Sequence, residues 1–296
     1  MKNRWLISDN LWKKIIDMKK LLVTILALTL TIAGQAQEET VDTAQFVVMY
    51  NYECRTQDDE AAPITDKMQV VVQVGKTVTK SMPYSVYRQR DESEEADVAA
   101  DYQEAYVHIP TVWMGYPEGQ VTVREFIFPH EYEGYEPTTD IAWALSEDTM
   151  TVSGYLCQQA TATFRGVEWH VWYTEEIPSS AGPWRLHGLP GLIVKAESKA
   201  HSFSIAKLTQ EASLIIAPER RPDVQRMKYA KLLKHKNEIY GNRQYVKNPT
   251  YYVPDLQHSI SHMCVFQMNG QDYIFANDHP LLMKAHVYQP LELTEQ

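Results

Sequence analysis

Cysteine is scarce, basic residues are outnumbered, and long hydrophobic runs are nearly missing. The 296-residue chain holds three cysteines, Cys54, Cys157 and Cys264. That excludes a disulfide-dense scaffold and allows at most one intrachain bridge, whose pairing the spacing does not choose. Lysine and arginine number 28 against 38 acidic residues, a net charge of −10. A chain this acidic is repelled by phosphate backbones, which excludes general nucleic-acid binding. Gly-x-Ser-x-Gly, His-Glu-x-x-His and the phosphate-binding loop are all missing, so no residue is assigned a catalytic role by motif.

The one long apolar run, Leu21–Ala33, has 13 residues and falls short of the roughly 20 that a bilayer-spanning helix needs. Met18-Lys19-Lys20 precedes it as a basic start, and Ala33-Gly34-Gln35-Ala36 follows with small residues. Those three parts in that order make a secretory leader, cleaved after Ala36. Residues 1–17 do not fit a leader, and the expectation is translation from Met18, with 1–17 an upstream extension. Residues 1–36 carry six basic and two acidic residues, so residues 37–296 keep 22 against 36, a net charge of −14. No cysteine follows the cleavage site closely, which argues against a lipoprotein. The expected location is the periplasm or the exterior of a Gram-negative cell.

What remains reads as strands. The whole chain is 44% hydrophobic and 22% charged, globular proportions, and residues 37–296 suit one sizeable domain. Ala44–Cys54 and Met68–Val74 are rich in Val and Tyr, and Tyr106–Trp113 and Val121–Phe128 flank a Pro117-Glu118-Gly119 turn. Thr151–Phe164 and Val167–Glu175 flank Arg165-Gly166, with Val167, Trp169, Val171 and Tyr173 sharing one face. Leu192–Glu197 and Ser202–Leu208 form another hairpin. Short runs punctuated by turn residues predict a mainly β fold, a single antiparallel and curved sheet or half-barrel. One amphipathic helix is predicted toward the C-terminus, from Pro222 to about Tyr240. Val224, Met227, Ala230, Leu232 and Leu233 face its core side, and Lys228, Lys231, Lys234 and Lys236 face out. The basic segment 220–247 is a solvated face by the simplest reading, and by the sharper one a peripheral contact for anionic lipid.

Ile177–Val194 is punctuated differently. Between Gly182 and Gly191 two prolines and three glycines alternate with large apolar residues, which describes a long connection held in a fixed path. Trp184, Leu186 and Leu189 can anchor it on the sheet. Gly188-Leu189-Pro190-Gly191-Leu192-Ile193 resembles the signature of the GLPGLI family, exported proteins of the Bacteroidetes lineage. Four further pieces are similar to that family's pattern: Gly154-Tyr155-Leu156-Cys157, Trp172-Tyr173-Thr174, Gly182-Pro183-Trp184-Arg185-Leu186 and Gln289-Pro290-Leu291-Glu292-Leu293. Gln289 stands where the pattern has asparagine. The resemblance is dense over about Ile141–Leu208 and thin before Tyr106. It implies a signal peptide and a β-rich fold, and it carries no activity and no catalytic residue.

The leading functional expectation is a binding or interaction module for an envelope protein or an apolar ligand. Its candidate binding residues are Trp172, Trp184, His187, Gly188, Leu189, Pro190 and Gly191. By analogy alone, half-barrels such as lipoprotein carriers shield apolar ligands. No cofactor is required by this reading. The first alternative is metal handling. His258 and His262 stand four apart beside Met263 and Cys264, and imidazole with soft sulfur suits Zn or Cu(I). The second is a hydrolase around His187, with Ser179 and Ser180 nearby. N-terminal sequencing of the exported protein is expected to begin at Gln37; a mature protein that still begins upstream of Met18 would contradict the leader.

Overall fold

The computed structural model describes residues 39–56, 64–88, 109–127, 130–210, 212–240, 263–268, 271–276 and 289–293. The leader, the acidic residues 93–101 and residues 241–247 of the basic segment lie outside the described residues. The chain divides into Met1–Glu39 and Thr40–Gln296, and the fold below is that of the second unit.

Along the chain run β1 (Thr40–Ala44), β2 (Phe46–Thr56), β3 (Ile64–Val74), β4 (Thr79–Pro83), helix α1 (Tyr84–Arg88), β5 (Thr111–Met114) and β6 (Gln120–Ile127). Then come β7 (His130–Pro137), β8 (Ala144–Val152), β9 (Tyr155–Phe164), β10 (Val167–Thr174), β11 (Leu192–Glu197) and β12 (His201–Thr209). The described elements close with β13 (Ser213–Ile216), β14 (Gln225–Lys228), helix α2 (Tyr229–Tyr240), β15 (Met263–Met268) and β16 (Gln271–Ala276). Twelve of the strands form one sheet in the order β14-β7-β6-β5-β4-β3-β2-β12-β11-β10-β9-β8. Every neighbouring pair is antiparallel except β14–β7, so the sheet is mixed rather than purely antiparallel. Its two end strands do not pair with each other, so it is not a closed barrel.

Local sequence explains most of this. In β10 Trp169, Val171 and Tyr173 are buried while Glu168 and His170 are exposed, the alternation expected of a strand covered on one face. In the sheet centre, β2 and β3 are buried on both faces. Val48, Tyr50, Tyr52 and Cys54 join the main core with Val70 and Val72. Val47 and Val71 face a smaller core with Trp113 and Ile215. That second face is why β3 carries an unbroken Val70-Val71-Val72 run. Its cover is the β1–β13 ribbon, tied on by the Trp113 indole N–H donating to the Ile216 carbonyl at 2.8 Å.

The run Thr151–Phe164 is not one strand. It is broken at Ser153-Gly154, where both residues have positive φ (50° and 90°), as do Arg165-Gly166 (50° and 77°). Both pairs are two-residue hairpin loops, whose backbone hand matches the strand twist. The predicted helix also changes. Gln225–Lys228 is a strand paired in parallel with Tyr132–Tyr135, and the helix begins only at Tyr229. Arg226 on that strand reaches Glu133 at 3.1 Å. Tyr229, Leu232, Leu233 and Lys236 form the buried stripe of α2, whereas Ala230 is exposed. Lys236, expected in solvent, is 4% exposed and sits 2.8 Å from the carboxylate of Glu125, a buried partner on β6. Cys54 and Cys157 are both buried in the main core.

One side chain closes the turn between β3 and β4. The Asp42 carboxylate accepts from the amides of Thr77 and Val78 at 2.7 and 2.9 Å, from Thr43 at 2.7 Å, and from the Thr77 hydroxyl at 3.0 Å. Burial pulls its pKa up, but those donors together hold it below the usual carboxylate range. A depressed carboxyl contributes stability that is complete above its unfolded-chain pKa of about 3.9 and disappears as pH falls through the lower folded value. The stability gap between wild type and Asp42→Asn, measured by urea unfolding, is therefore expected to be constant above about pH 5 and to close below pH 4. A gap that stays constant down to pH 2 would contradict this.

Candidate functional site

The connection between β10 and β11 has no regular structure, yet hydrogen bonds hold its path at several points. The amides of Leu192 and Ile193 donate to the carbonyls of Ile177 and Ala181, both at 3.1 Å, and Gly188 donates to Ser180 at 2.9 Å. The Trp184 amide donates to the Ser81 hydroxyl at 3.0 Å, and the Trp143 indole donates to the His187 carbonyl at 2.8 Å. The Tyr50 hydroxyl donates to the Ile193 carbonyl at 2.7 Å. Gly191 is obligatory for packing, since a Cβ there would lie 2.0 Å from the Thr174 carbonyl oxygen.

Trp184, Leu186 and Leu189 all sit in the core. The Trp184 ring packs on Phe164 and Trp169, each at 5.9 Å between centroids. Its backbone has φ of 56°, a left-handed conformation that costs a bulky residue about 1–3 kcal/mol and persists only where the surroundings impose it.

Those surroundings are charged. Arg185 is 2% exposed and lies beneath the loop. Its Nη1 donates to both oxygens of Glu292 at 3.3 and 3.1 Å, and its Nη2 donates to Glu136. Arg165, from the β9–β10 turn, meets the same two carboxylates at 2.6 Å (Glu136) and 3.3 Å (Glu292). The Tyr229 hydroxyl donates to Glu292 at 2.5 Å, and Arg185 lies 4.9 Å over the Tyr229 ring. Lys236 and Glu125 complete the cluster. Three cations and three carboxylates thus neutralise one another around one phenol. No water-sized space is left among Glu125, Tyr229, Lys236 and Glu292.

Burial alone would lower the pKa of Arg185, but Glu292, Tyr229 and Glu136 outweigh it and hold the guanidinium charged. Burial raises the Glu125 carboxyl above its usual range, with Lys236 opposing the shift. Burial, and then the charges of Glu292 and Glu125, push the Tyr229 phenol well up. The segment carrying Glu292 is bound along its length. The Pro290 carbonyl accepts from the His201 ring at 3.1 Å, and the Leu293 amide donates to the Arg165 carbonyl at 2.9 Å.

On its other flank the loop borders a cleft of about 170 Å³. Thr79 and Met114 line it from β4 and β5, Thr77 and Gly115 from the turns beside them, Thr138 from beyond β7, and Ser180, Trp184, Leu186 and His187 from the loop. Of the residues singled out from sequence, Ser180, Trp184, Leu186 and His187 come together here. Trp172 is half-buried against the core, Leu189 is buried, and Gly188 and Pro190 are exposed. His187 makes no bond to a serine. Its Nδ1 donates to the Arg185 carbonyl at 2.8 Å, and the Ser179 hydroxyl accepts from the Ala181 amide at 3.2 Å. His258 and His262 lie outside the described residues, and Cys264 is described only as backbone within β15. Among the described residues no three His, Cys, Asp or Glu side chains converge as a metal site, and no helix is long and apolar enough to cross a membrane.

Arg165, Arg185, Glu125, Glu136, Glu292, Tyr229 and Lys236 were not among the candidate site residues read from the sequence. A signal was present for two of them. Trp184-Arg185-Leu186 and Leu291-Glu292-Leu293 each place one charge between apolar residues, and these two charges meet.

Residues 165–195 match the family described as "Protein of unknown function (Porph_ging)", consistent with the GLPGLI-type resemblance. The match holds both arginines of the cluster. No curated protein matches the chain. Among solved structures, PNGF-II in a P21 crystal form is similar at 12% identity and a TM-score of 0.42, over 67% of this chain and 34% of that one. The LolA superfamily protein NE2245 from Nitrosomonas europaea is similar at 11% identity and a TM-score of 0.23, over 56% of this chain and 86% of that one. The chain thus spans about a third of the length of PNGF-II, and likenesses this loose carry no argument about activity.

Removing one member of a buried ion pair leaves the other uncompensated, whereas removing both does not. Arg185→Met and Glu292→Leu are each expected to cost about 3–5 kcal/mol in urea unfolding. The double variant is expected to cost less than their sum by more than about 1 kcal/mol. Additive losses would mean the two groups are not coupled.

Proposed function

We propose that the protein is an exported envelope protein that acts by binding, with the 177–194 loop as its presented face. The observation that carries this reading is the asymmetry of the loop. Its inner residues are buried and bonded, while Pro178, Ser180, Gly188 and Pro190 stay exposed on a backbone whose path is already fixed. A surface ordered before a partner arrives does not lose that entropy on binding. The leader Met18–Ala36 supports the exported location.

The occupant this geometry favours is a protein surface rather than a large apolar ligand. The sheet is not closed, and its interior beneath the loop is filled by Trp169, Trp184, Tyr50 and Phe203. The cleft of about 170 Å³ is smaller than the ~300–1,000 Å³ typical of drug-sized sites. Native mass spectrometry of the protein purified from its own envelope fraction tests the reading. A retained partner is expected, and it is expected to be lost in Pro178→Arg/Pro190→Arg, which alters only exposed positions. A retained mass that the double variant leaves unchanged, or none at all, would count against the loop as the binding face.

A further inference from the structure

The two end strands of the open sheet are finished differently. β14 is four residues long, carries Arg226 and Lys228, and is clipped to its neighbour by the Arg226–Glu133 pair. Shortness and basic side chains keep a sheet edge from pairing with another chain. β8 has neither protection. It is nine residues long, contains no Lys, Arg, Pro or Gly, and pairs with β9 alone among the described residues. The alternate amides and carbonyls that point away from β9 are therefore open to a further strand. Every residue of β8 except Ser146 and Val152 is exposed. Among the described residues six large apolar side chains are exposed, and three of them gather here: Leu145 (58%), Met150 (38%) and, on β9, Leu156 (62%). Leu145 pairs with Ala160, four residues along β9 from Leu156, so these two leucines share a face; Met150, opposite Cys157, lies on the other.

The charge of this edge has one sign. Residues 137–164 contain Asp140, Glu147 and Asp148 and no Lys or Arg. Exposed Glu176 adjoins them, accepting from the Leu156 amide at 2.9 Å, with exposed Glu175 beside it. Glu147 and Asp148 sit in a bulge between Leu145 and Thr149 whose shape is fixed. The Asp148 amide donates to the Ser146 hydroxyl at 3.1 Å, that hydroxyl donates to the Asp148 carboxylate at 2.8 Å, and the Gln158 side-chain amide donates to the Ser146 carbonyl at 2.7 Å. Asp148 is also the middle residue of β8. Two copies pairing antiparallel about that point would set Asp148 against Asp148, and like charges directly opposite are destabilising. A foreign strand with Lys or Arg there meets complementary charge instead, and the net charge of −10 draws it in at long range.

We propose that β8 is a docking edge for an extended basic segment of a partner protein. That segment adds to the sheet as one further strand, with apolar side chains against Leu145, Leu156 and Met150 and cationic ones beside Glu147 and Asp148. Main-chain hydrogen bonds supply the affinity, and the carboxylates select the charge. This edge does not depend on the 177–194 loop being a binding face.

The test is an NMR titration of the full mature protein with a ten-residue Lys-Val repeat, blocked at both ends. A Glu-Val repeat reverses its charge, and a Lys-Pro repeat keeps the charge while removing alternate backbone donors. Saturable shifts are expected at the amides of residues 144–152 with the Lys-Val peptide, and at least tenfold weaker binding with the other two. Leu145→Lys/Met150→Lys alters only exposed side chains and is expected to weaken Lys-Val binding at least tenfold with an unchanged melting temperature. Glu147→Lys/Asp148→Lys is expected to reverse the preference, so that the Glu-Val peptide binds better than Lys-Val. The proposal is overturned if the Lys-Val peptide gives no saturable shifts at 144–152, if the Glu-Val or Lys-Pro peptide binds as well, or if both variants bind like wild type. It is also overturned if light scattering finds wild type as two copies and Leu145→Lys/Met150→Lys as one, since a second copy then occupies the edge. Loss of the loop-dependent complex in Pro178→Arg/Pro190→Arg, with Lys-Val binding unchanged, would separate this edge from the loop.

Discussion

Three cations and three carboxylates meet under a loop, Arg185, Lys236, Glu125 and Glu292 buried and Arg165 and Glu136 half-buried, and the buried ones would be expensive to leave alone. An uncompensated buried charge costs several kcal/mol, so the arrangement is tolerable only when every partner is in place. The partners come from β6, β7, the β9–β10 turn, the loop, α2 and the 289–293 segment. Bringing any one of them into register fixes the others. That is how a connection without regular secondary structure acquires a single path, and why residues more than a hundred positions apart, such as Arg185 and Glu292, belong to one unit.

The same constraint accounts for the loop's peculiarities. Trp184 is held in a left-handed backbone conformation because its amide is taken by Ser81, its ring is wedged against Phe164 and Trp169, and the next residue is Arg185. Gly191 is there because the chain returns to β11 against the Thr174 carbonyl. The inner side of the loop is given over to packing and ion pairing, and Pro178, Ser180, Gly188 and Pro190 are left exposed. The sheet is open, and its interior beneath the loop is occupied by aromatic rings, Trp169, Trp184 and Phe203 among them.

Much of the sheet was legible because its strands alternate. β10, β11 and β12 stand close to their sequence-read bounds, and Arg165-Gly166 is the turn its composition announced. The loop's anchors were legible for a similar reason: large apolar residues spaced by Gly and Pro have nowhere to go except the core. β7 was not, because His130–Pro137 is acidic and its consecutive buried residues Tyr132, Glu133 and Gly134 break the period of two. Glu133 is buried only because Arg124 and Arg226 meet it from neighbouring strands. Lys236 misled in the same way, since its place on α2 depends on Glu125, whose burial no local pattern reveals. A charge whose partner is distant in sequence looks solvated until the fold is known. Trp172 reads as an exposed-face aromatic beside the loop, but its strand face packs it half-buried against the core, whereas Gly188 and Pro190, read as part of the Gly188–Ile193 signature, are exposed.

Amide hydrogen exchange of the native protein reaches the central claim most directly. If the ion cluster fixes the loop, the amides of Gly188, Leu192 and Ile193 should exchange only through global unfolding, as slowly as those of β2 and β3. Exchange of those three amides at the rate of the frayed ends of the sheet, with β2 and β3 still protected, would show that the loop opens on its own and that the buried charges do not hold it.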